Sequence, residues 1–294
     1  MNRENDTTID LLVVLYNSEQ FLVGLLESLR QVSTRIVCYF LDNASTDRTV
    51  DLLFEGLENF PFKSYVLRSI QNNGFARGIN LLARQGSGEF VFVLNPDTVV
   101  QPGCLEELVS RAEADPKIGM CEARQTPREH PKSFDISTGE TSWCTGAAVL
   151  IRRKAFEEVG GFDERIFFMY CEDVDLSWKF WLRGWKCIYA PNAVVEHYTQ
   201  DVLPGKRRTL ENYFSFRNSL FLFYRFGSWS NRGIFYKFLL NRFIFGGYSF
   251  RSKVLYVFAF ADHIRYIPYL LRTRYLWRVD GHPWIHLEET SLAD

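Results

Sequence analysis

The sequence predicts a mixed α/β fold, a mostly parallel central sheet with helices on both faces, followed by a helical C-terminal region. Three observations predict it. The segment IDLLVVL at 9–15 is a near-continuous apolar run, the pattern of a strand covered on both sides in a parallel sheet. Strand-like and helix-like segments alternate from residue 9 to about residue 115, the rhythm of right-handed crossovers. The polar residues Asn17, Asp42 and Asp97 each fall just past a strand end, on the rim where such sheets collect ligands.

In chain order, the strand at 9–15 leads to Ser18, a candidate cap for a helix over 19–30. The apolar positions Phe21, Leu22, Leu25, Leu26 and Leu29 of that helix share one face. Residues 35–41 read as a second strand, followed by a polar loop and a helix starting at Thr46 or Asp47. A third strand is expected at 62–67, a helix at 76–83, a fourth strand at 89–94, then a Pro-Gly turn and a helix over 105–115. From residue 118 the pattern loosens. Residues 126–140 are polar with two prolines and read as a loop over the site. Residues 147–151 read as a short strand, 173–183 as a helix, and 187–190 as a strand ending at Pro191.

The net charge of −1 conceals an asymmetry. Residues 1–204 carry 20 Lys and Arg against 29 acids, whereas 205–278 carry 14 against 2 and hold 22 of the 47 aromatics. Such a shift divides the chain into a first unit, 1–204, and a second region, 205–294. The six cysteines form no CxxC and several sit in apolar runs, so free buried thiols are expected rather than disulfides or zinc. The polar, acidic N-terminus is not a signal peptide. In the basic region the longest uncharged apolar run, 254–261, would span about 12 Å as helix against about 30 Å of hydrocarbon, so no spanning helix is expected.

Five segments concentrate polar groups beside strands or tight turns: DNASTD at 42–47, NNGFARGIN at 72–80, LNPDT at 94–98, TGAAVLIRR at 145–153 and GGFDERIFFMYCEDVDLSWKF at 160–180. Four of them have two readings. The first is a turn and helix cap, or a carboxylate that accepts from a nucleotide base. The second is a turn, or a glycine-permitted approach of backbone to an anion. Asn95-Pro96-Asp97 is a common turn, or the carboxylate end of a diphosphate–cation site. Acids at the start of a helix are favoured by its dipole by about 0.3–1 kcal/mol each. That explains one acid more readily than the four in 164–175, and a positioned carboxylate there is a candidate general base.

In this order and spacing the five segments resemble the bacterial family 2 inverting glycosyltransferases, which have the GT-A fold; the resemblance runs from about residue 9 to 197. It implies that Asp42 accepts from N3–H of a uracil or thymine ring with Tyr16 stacked nearby. It implies that Asn17, Ser45, Asn73, Gly74, Arg77, Asn80 and Asn95 line a nucleotide diphosphate-sugar donor, and that Thr145 and Gly146 face the acceptor. The family usually has Asp-x-Asp where this chain has Asn95-Pro96-Asp97, so Asp97, with His197, is left to hold a divalent cation, Mg²⁺ or Mn²⁺. Asp173 takes the place of the catalytic base and Glu172 that of a residue orienting the acceptor. No Gln-x-x-Arg-Trp motif follows, unlike in processive synthases, which favours one sugar per encounter. The DNASTD, NPDT and EDVDL set most resembles rhamnosyltransferases of cell-wall and surface polysaccharide assembly. The expected donor is therefore dTDP-L-rhamnose, with a UDP-hexose or UDP-N-acetylhexosamine as the alternative.

The region from 205 interleaves bases with aromatics. One reading is a helical subdomain packed on the first; the preferred one is helices on an anionic membrane surface, where lipid-linked oligosaccharide acceptors lie. That reading places the protein in the cytoplasm, peripheral to the inner face of the cell membrane. No nucleic-acid module is visible and the first unit is acidic, so no nucleic-acid partner is expected. Two rivals remain at this stage. A nucleotidyltransferase would want a Gly-rich basic loop after the first strand, where Leu15-Tyr16-Asn17-Ser18 stands. An inactive glycan-binding scaffold would not be expected to keep Asp42, Asp97 and Asp173 together.

Overall fold

The structure, a computed structural model, describes residues 7–129, 132–198, 205–227, 250–274 and 282–285, with 205–208 as backbone only. Parts of the aromatic–basic region, 228–249 and 275–281, lie outside the described residues. The elements run β1 (Ile9–Leu15), α1 (Glu19–Leu29), β2 (Ile36–Asp42), α2 (Thr49–Leu57), β3 (Lys63–Arg68), α3 (Phe75–Ala83), β4 (Phe90–Leu94), β5 (Thr98–Val100) and α4 (Cys104–Ala114). They continue with β6 (Ile118–Thr126), β7 (Ala148–Arg152), α5 (Arg153–Glu158), α6 (Glu172–Leu182), β8 (Lys186–His197), α7 (Gly205–Phe226), α8 (Phe250–Ile264) and α9 (Ile267–Arg274).

One eight-stranded sheet has the order β3-β2-β1-β4-β7-β6-β8-β5. β1 to β4 pair in parallel, and β6 pairs in parallel with β8; β7 is antiparallel to both neighbours and β5 is antiparallel to β8. Successive residues of β1 serve opposite faces. Leu12 and Val14 join a core with α3, α6 and α7, while Leu11, Val13 and Leu15 join one with α1 and α4. Asp10, the one charge in β1, is buried with the Arg153 guanidinium at 2.6 Å and the Gly88 amide at 2.7 Å.

Leu22, Leu25, Leu26 and Leu29 of α1 are buried, as their spacing predicts. Ser18 does not cap that helix: its hydroxyl accepts from the Tyr16 amide (3.2 Å), and the Asp47 carboxylate takes the Glu19 amide instead (3.3 Å). Asp47 also accepts from the amide and hydroxyl of Thr49, and α2 starts at Thr49, past the expected Thr46 or Asp47. Neither β5 nor β6 is apparent in the sequence. β8 does not end at Pro191 but runs on to His197. Its register with β6 jumps from Ala123–Ala190 to Arg124–Val194, and this irregularity absorbs the proline that a regular ladder would reject.

All six cysteines are free and five are buried; burial pushes the Cys38 and Cys104 thiols up to about 12. α7 packs on α6, with Leu220 and Phe221 in the same core as Trp178 and Phe180, and Phe226 edge-on to Trp178 at 5.1 Å. Among the described residues no helix is long and apolar enough to cross a membrane.

Candidate functional site

The site is built on the carboxyl rim of β1, β2 and β4. Asp42 is the buried last residue of β2; its Oδ1 accepts from the Ser45 amide (3.0 Å) and its Oδ2 lies 3.9 Å from Arg68 Nε. Asn17 has a positive φ of 48°. Its amide donates to the Ser45 hydroxyl (3.0 Å) and its side-chain oxygen accepts from the Thr46 amide (2.8 Å). Asn17 and Ser45 therefore shape the loop around Asp42, while Tyr16 stands 45% exposed at its edge.

Asn43 is a residue that the sequence reading passed over. Its Oδ1 accepts from the Asn73 amide (2.9 Å), and its Nδ2 donates to Asn72 Oδ1 (2.9 Å) and the Gly74 carbonyl (3.2 Å). One buried side chain thus joins the 42–47 and 72–74 loops; in sequence it looks like an ordinary turn asparagine. Gly74 has φ 80°, and a Cβ there would meet the Phe168 carbonyl at 2.3 Å, so this close approach requires glycine. The Phe75 amide donates to that same carbonyl (2.7 Å). Arg77 is exposed on α3. Asn80, expected at the donor, is buried on α3. Its Nδ2 donates to the Phe162 carbonyl and to Glu164 (both 2.8 Å), and its Oδ1 accepts from the Phe162 amide (3.0 Å). These three bonds fasten α3 to the 162–164 loop.

Pairing of β5 with β8 sets Thr98 opposite His197 and brings the His197 ring to buried Asp97, Nε2 to Oδ1, at 3.2 Å. His197 Nδ1 lies 2.7 Å from Gln125 Oε1. Since a glutamine oxygen only accepts, Nδ1 carries hydrogen and Nε2 is the atom left to bind a cation, the usual way a metal-binding imidazole is oriented. Among the described residues no group of three or more His, Cys, Asp or Glu could hold a metal. Asp97 and His197 could therefore supply a divalent cation with at most two protein ligands, a small set of the kind Mg²⁺ accepts. Asn95 adjoins them, its amide donating to the Ala147 carbonyl (2.8 Å) and its carbonyl accepting from the Thr98 hydroxyl (2.7 Å).

Behind His197 lies a buried polar network. Gln125 Nε2 donates to the Thr145 hydroxyl (2.6 Å), and the Thr145 amide (3.0 Å) and hydroxyl (3.2 Å) both donate to Glu122. The Lys132 ammonium, from the loop after β6, pairs with Glu122 and lies 4.2 Å from the centre of the Trp143 ring. Burial pushes the Glu122 carboxyl up, against the opposing pull of Lys132 and Thr145. Thr145, expected to face the acceptor, has its hydroxyl inside this network.

Gly146 donates its amide to Asp173 Oδ2 (3.0 Å), and the Val174 amide donates to Oδ1 (2.8 Å). Gly146 thus contributes by holding the candidate base. Just upstream, Tyr170 (φ 68°) and Cys171 (φ 66°) are both left-handed, a conformation costing about 1–3 kcal/mol per residue, which clusters at functional sites. Burial raises the Asp173 carboxyl above its ordinary value, though the Gly146 and Val174 amides pull it back. Glu172 is raised well above the usual carboxylate range, first by burial and then by Asp173 beside it. Its Oε2 has no hydrogen-bond partner among the described residues. The two adjacent buried carboxyls thus sit in unlike surroundings, Asp173 resting on two backbone amides and Glu172 with one oxygen unpartnered among the described residues.

The architecture matches solved glycosyltransferases. A mannosyltransferase from Pyrobaculum calidifontis, solved with GDP-Man and Mn²⁺, superposes with a TM-score of 0.62 at 19% identity, over 91% of this chain and 73% of that one. S. aureus TarS 1-349 in complex with UDP-GlcNAc gives 0.60 at 17% identity, over 91% and 83%. At such identities the likeness is one of fold, and the fold is GT-A. In sequence, the N-acetylglucosaminyl-diphospho-decaprenol L-rhamnosyltransferase of Mycobacterium tuberculosis (strain ATCC 25618 / H37Rv) is 30% identical over 237 residues, 65% of this chain and 76% of that enzyme. The profile of Glycosyl transferase family group 2 matches residues 90–278, and that of Glycosyl transferase family 2 matches residues 10–160. With over half its length matched by the latter profile, this chain belongs to glycosyl transferase family 2.

Proposed function

We propose that this glycosyltransferase moves one L-rhamnose from dTDP-L-rhamnose to a lipid-linked glycan at a membrane surface, with inversion at the anomeric carbon. The observation that carries the reading is the Asp173 carboxylate, held by the Gly146 and Val174 amides at the head of α6. In the step, Asp173 takes the proton of the acceptor hydroxyl as that oxygen bonds to the anomeric carbon. The bond from that carbon to the diphosphate breaks, and its electron pair leaves with the diphosphate. Asp42 accepts from the base of the nucleotide, and Asn17, Ser45, Asn73 and Gly74 form the wall around it. Arg77 and Asn95 lie toward the diphosphate. Asp97 and His197 would hold a divalent cation, Mg²⁺ or Mn²⁺, which when bound offsets the charge gathering on the leaving group.

A rhamnosyltransferase relative supports the donor, and that relative's name supports a lipid diphosphate acceptor. Asp42 recognises uracil and thymine through the same N3–H, so a UDP-hexose or UDP-N-acetylhexosamine is the competing donor. The fold shared with an enzyme solved with UDP-GlcNAc favours keeping it in view. Docking on an anionic membrane is supported by α8. Phe250 (82% exposed), Val254, Val257, Phe258 and Ile264 leave an apolar surface beside exposed Arg251 and half-buried Lys253.

The test is a panel of dTDP-, UDP- and GDP-sugars, assayed by release of nucleotide diphosphate in wild type and Asp173→Asn. The mutant should bind donor normally and turn over about 10²–10⁴-fold more slowly. Wild-type activity should fall on the acid side as Asp173, with its raised pKa, takes up a proton. Near wild-type turnover in the mutant would exclude Asp173 as the base. No turnover of any donor by wild type would favour a glycan-binding scaffold.

A further inference from the structure

The candidate base sits directly after two strained residues, and the group that holds them comes from outside the catalytic segment. Tyr170 and Cys171 are consecutive left-handed residues with side chains, and they set the direction in which α6 leaves the loop. Asn218, wholly buried on α7, donates through Nδ2 to the Met169 carbonyl (2.8 Å) and the Tyr170 carbonyl (2.7 Å). Two acceptors converge on one nitrogen, which settles the amide's orientation: the NH₂ group faces the loop. Its oxygen accepts from Arg217 Nε (3.1 Å). Arg217 in turn donates to the Ile166 carbonyl (3.2 Å) and pairs with Asp262 of α8 (2.9 Å). The loop from 166 to 171 is therefore held on its far side by side chains of α7.

We infer that Asn218 is a positioning residue for the Asp173 carboxylate, holding through the Met169 and Tyr170 carbonyls the left-handed turn that aims the head of α6 into the site. This rests on the reading of Asp173 as the base. Without both donors, two half-buried carbonyls lose the amide that ties them to α7, and the turn has less to hold it left-handed. Glu172 and Asp173 then drift, while the donor rim on β1, β2 and β4 keeps its geometry. A misplacement of about 1 Å at a reacting group can cost about 10²-fold in rate.

Asn218→Asp keeps the shape and the acceptor for Arg217 but removes both donors; Asn218→Ser is smaller, neutral and keeps one donor. Turnover is read as nucleotide diphosphate release from dTDP-L-rhamnose or UDP-GlcNAc, affinity by calorimetry with dTDP and UDP, and local order by amide hydrogen exchange across 169–175, which needs no substrate. The expected result is a kcat about 10–100-fold lower in N218D, nucleotide Kd within about twofold of wild type, and faster exchange confined to 169–175, with N218S in between. In a D173N background, N218D should cost no more than about twofold, because both changes act through one carboxylate. Wild-type kcat and exchange in N218D, or a loss that multiplies in full with that of D173N, overturn the inference. So does faster exchange spread through the sheet with weakened nucleotide binding, which would mark a general packing role. If D173N itself turns over at the wild-type rate, the base reading fails. If D173N is slow and N218D is not, only the positioning role fails.

Discussion

The Arg225 guanidinium on α7 lies between two carboxylates, 2.5 Å from buried Asp175 of α6 and 2.5 Å from half-buried Asp163, with the Arg225 and Asp175 side chains only 1% exposed. Lys179 reaches Asp175 from one turn along (2.7 Å). Burial alone would raise Asp175, yet Arg225 and Lys179 prevail and hold it below its ordinary value. Part of the basic excess of the C-terminal region is thus structural. It fastens α7 to the catalytic helix and does not face lipid.

Arg225→Ala should therefore destabilise the protein by about 3 kcal/mol, since it leaves buried Asp175 with Lys179 alone and half-buried Asp163 without its cation. Arg225→Lys should recover only part of this, because an ammonium cannot fork between two acids. Asp175 is a depressed carboxylate, so its stabilisation is full above the unfolded value near 3.8 and is lost as pH falls through the lower folded value. The difference in Tm between wild type and mutant should be greatest near neutrality and shrink in acid. A constant difference down to pH 2 would mean that lost packing, and not charge, explains the mutant.

The legible and hidden parts of this fold divide on physical grounds. β1, β2 and β4 are buried on both faces, so their apolar runs stand out, and Asp42 and Asp97 stand out where those runs end. The pair Glu172–Asp173 was visible because four acids crowd one short stretch. β6 was hidden because it carries Glu122, Arg124 and Gln125. Two of these are buried and satisfied by Lys132, Thr145 and His197, partners that only the fold brings near. β5 was hidden because three residues after a proline carry no periodicity. Asn43, Asn80 and Asn218 each bond through the side-chain amide to a loop distant in sequence, and an isolated asparagine gives no sign of that. A short Asn or Thr reading simply as a turn former is the general difficulty.

Glu172→Gln offers a second stability test with the opposite sign. Glu172 is a raised carboxyl with one oxygen unpartnered among the described residues. Below the ordinary value near 4.5 it is protonated in both folded and unfolded chains and costs nothing; as pH rises, the unfolded chain ionises first and the native state loses ground. Glutamine removes that penalty. It should raise Tm at neutral pH by a few degrees, for about 1–3 kcal/mol of relieved burial cost, and change little at pH 4. A lower Tm at pH 8 would show that the ionised carboxylate is satisfied after all.

Asp97→Ala should abolish the Mn²⁺-dependent part of nucleotide affinity measured by calorimetry with dTDP or UDP, leaving the metal-free affinity nearly unchanged. Gln125→Ala should weaken Mn²⁺ binding in the presence of nucleotide by about 10–100-fold, the usual effect of losing the group that orients a metal-binding imidazole. If both variants bind Mn²⁺ and nucleotide as wild type does, the cation site is not at Asp97 and His197.

The membrane reading is narrowed by the structure. Arg217 and Arg225 are buried and paired with Asp262, Asp163 and Asp175, so these two are not the lipid-facing bases, and Arg274 donates to the Gly227 carbonyl. Arg251, Lys253 and Arg272 are better placed, two of them beside the apolar surface of α8 and Arg272 exposed on α9. Each base near an anionic surface contributes about 1 kcal/mol, so changing these three to Glu should weaken co-sedimentation with phosphatidylserine liposomes by at least about a hundredfold. Wild-type binding should fall as salt rises, because exposed charges are screened beyond about 8–10 Å. Phe258→Ser in place of the charge changes should weaken binding without altering its salt dependence, since it removes inserted apolar area and no charge. Thermal unfolding should be nearly unchanged in every variant, since Arg251, Phe258 and Arg272 are exposed and Lys253 is only half-buried. Wild-type protein that ignores phosphatidylserine liposomes even at low salt would reassign the α8 surface to contact with another protein and remove the main support for a lipid-linked acceptor.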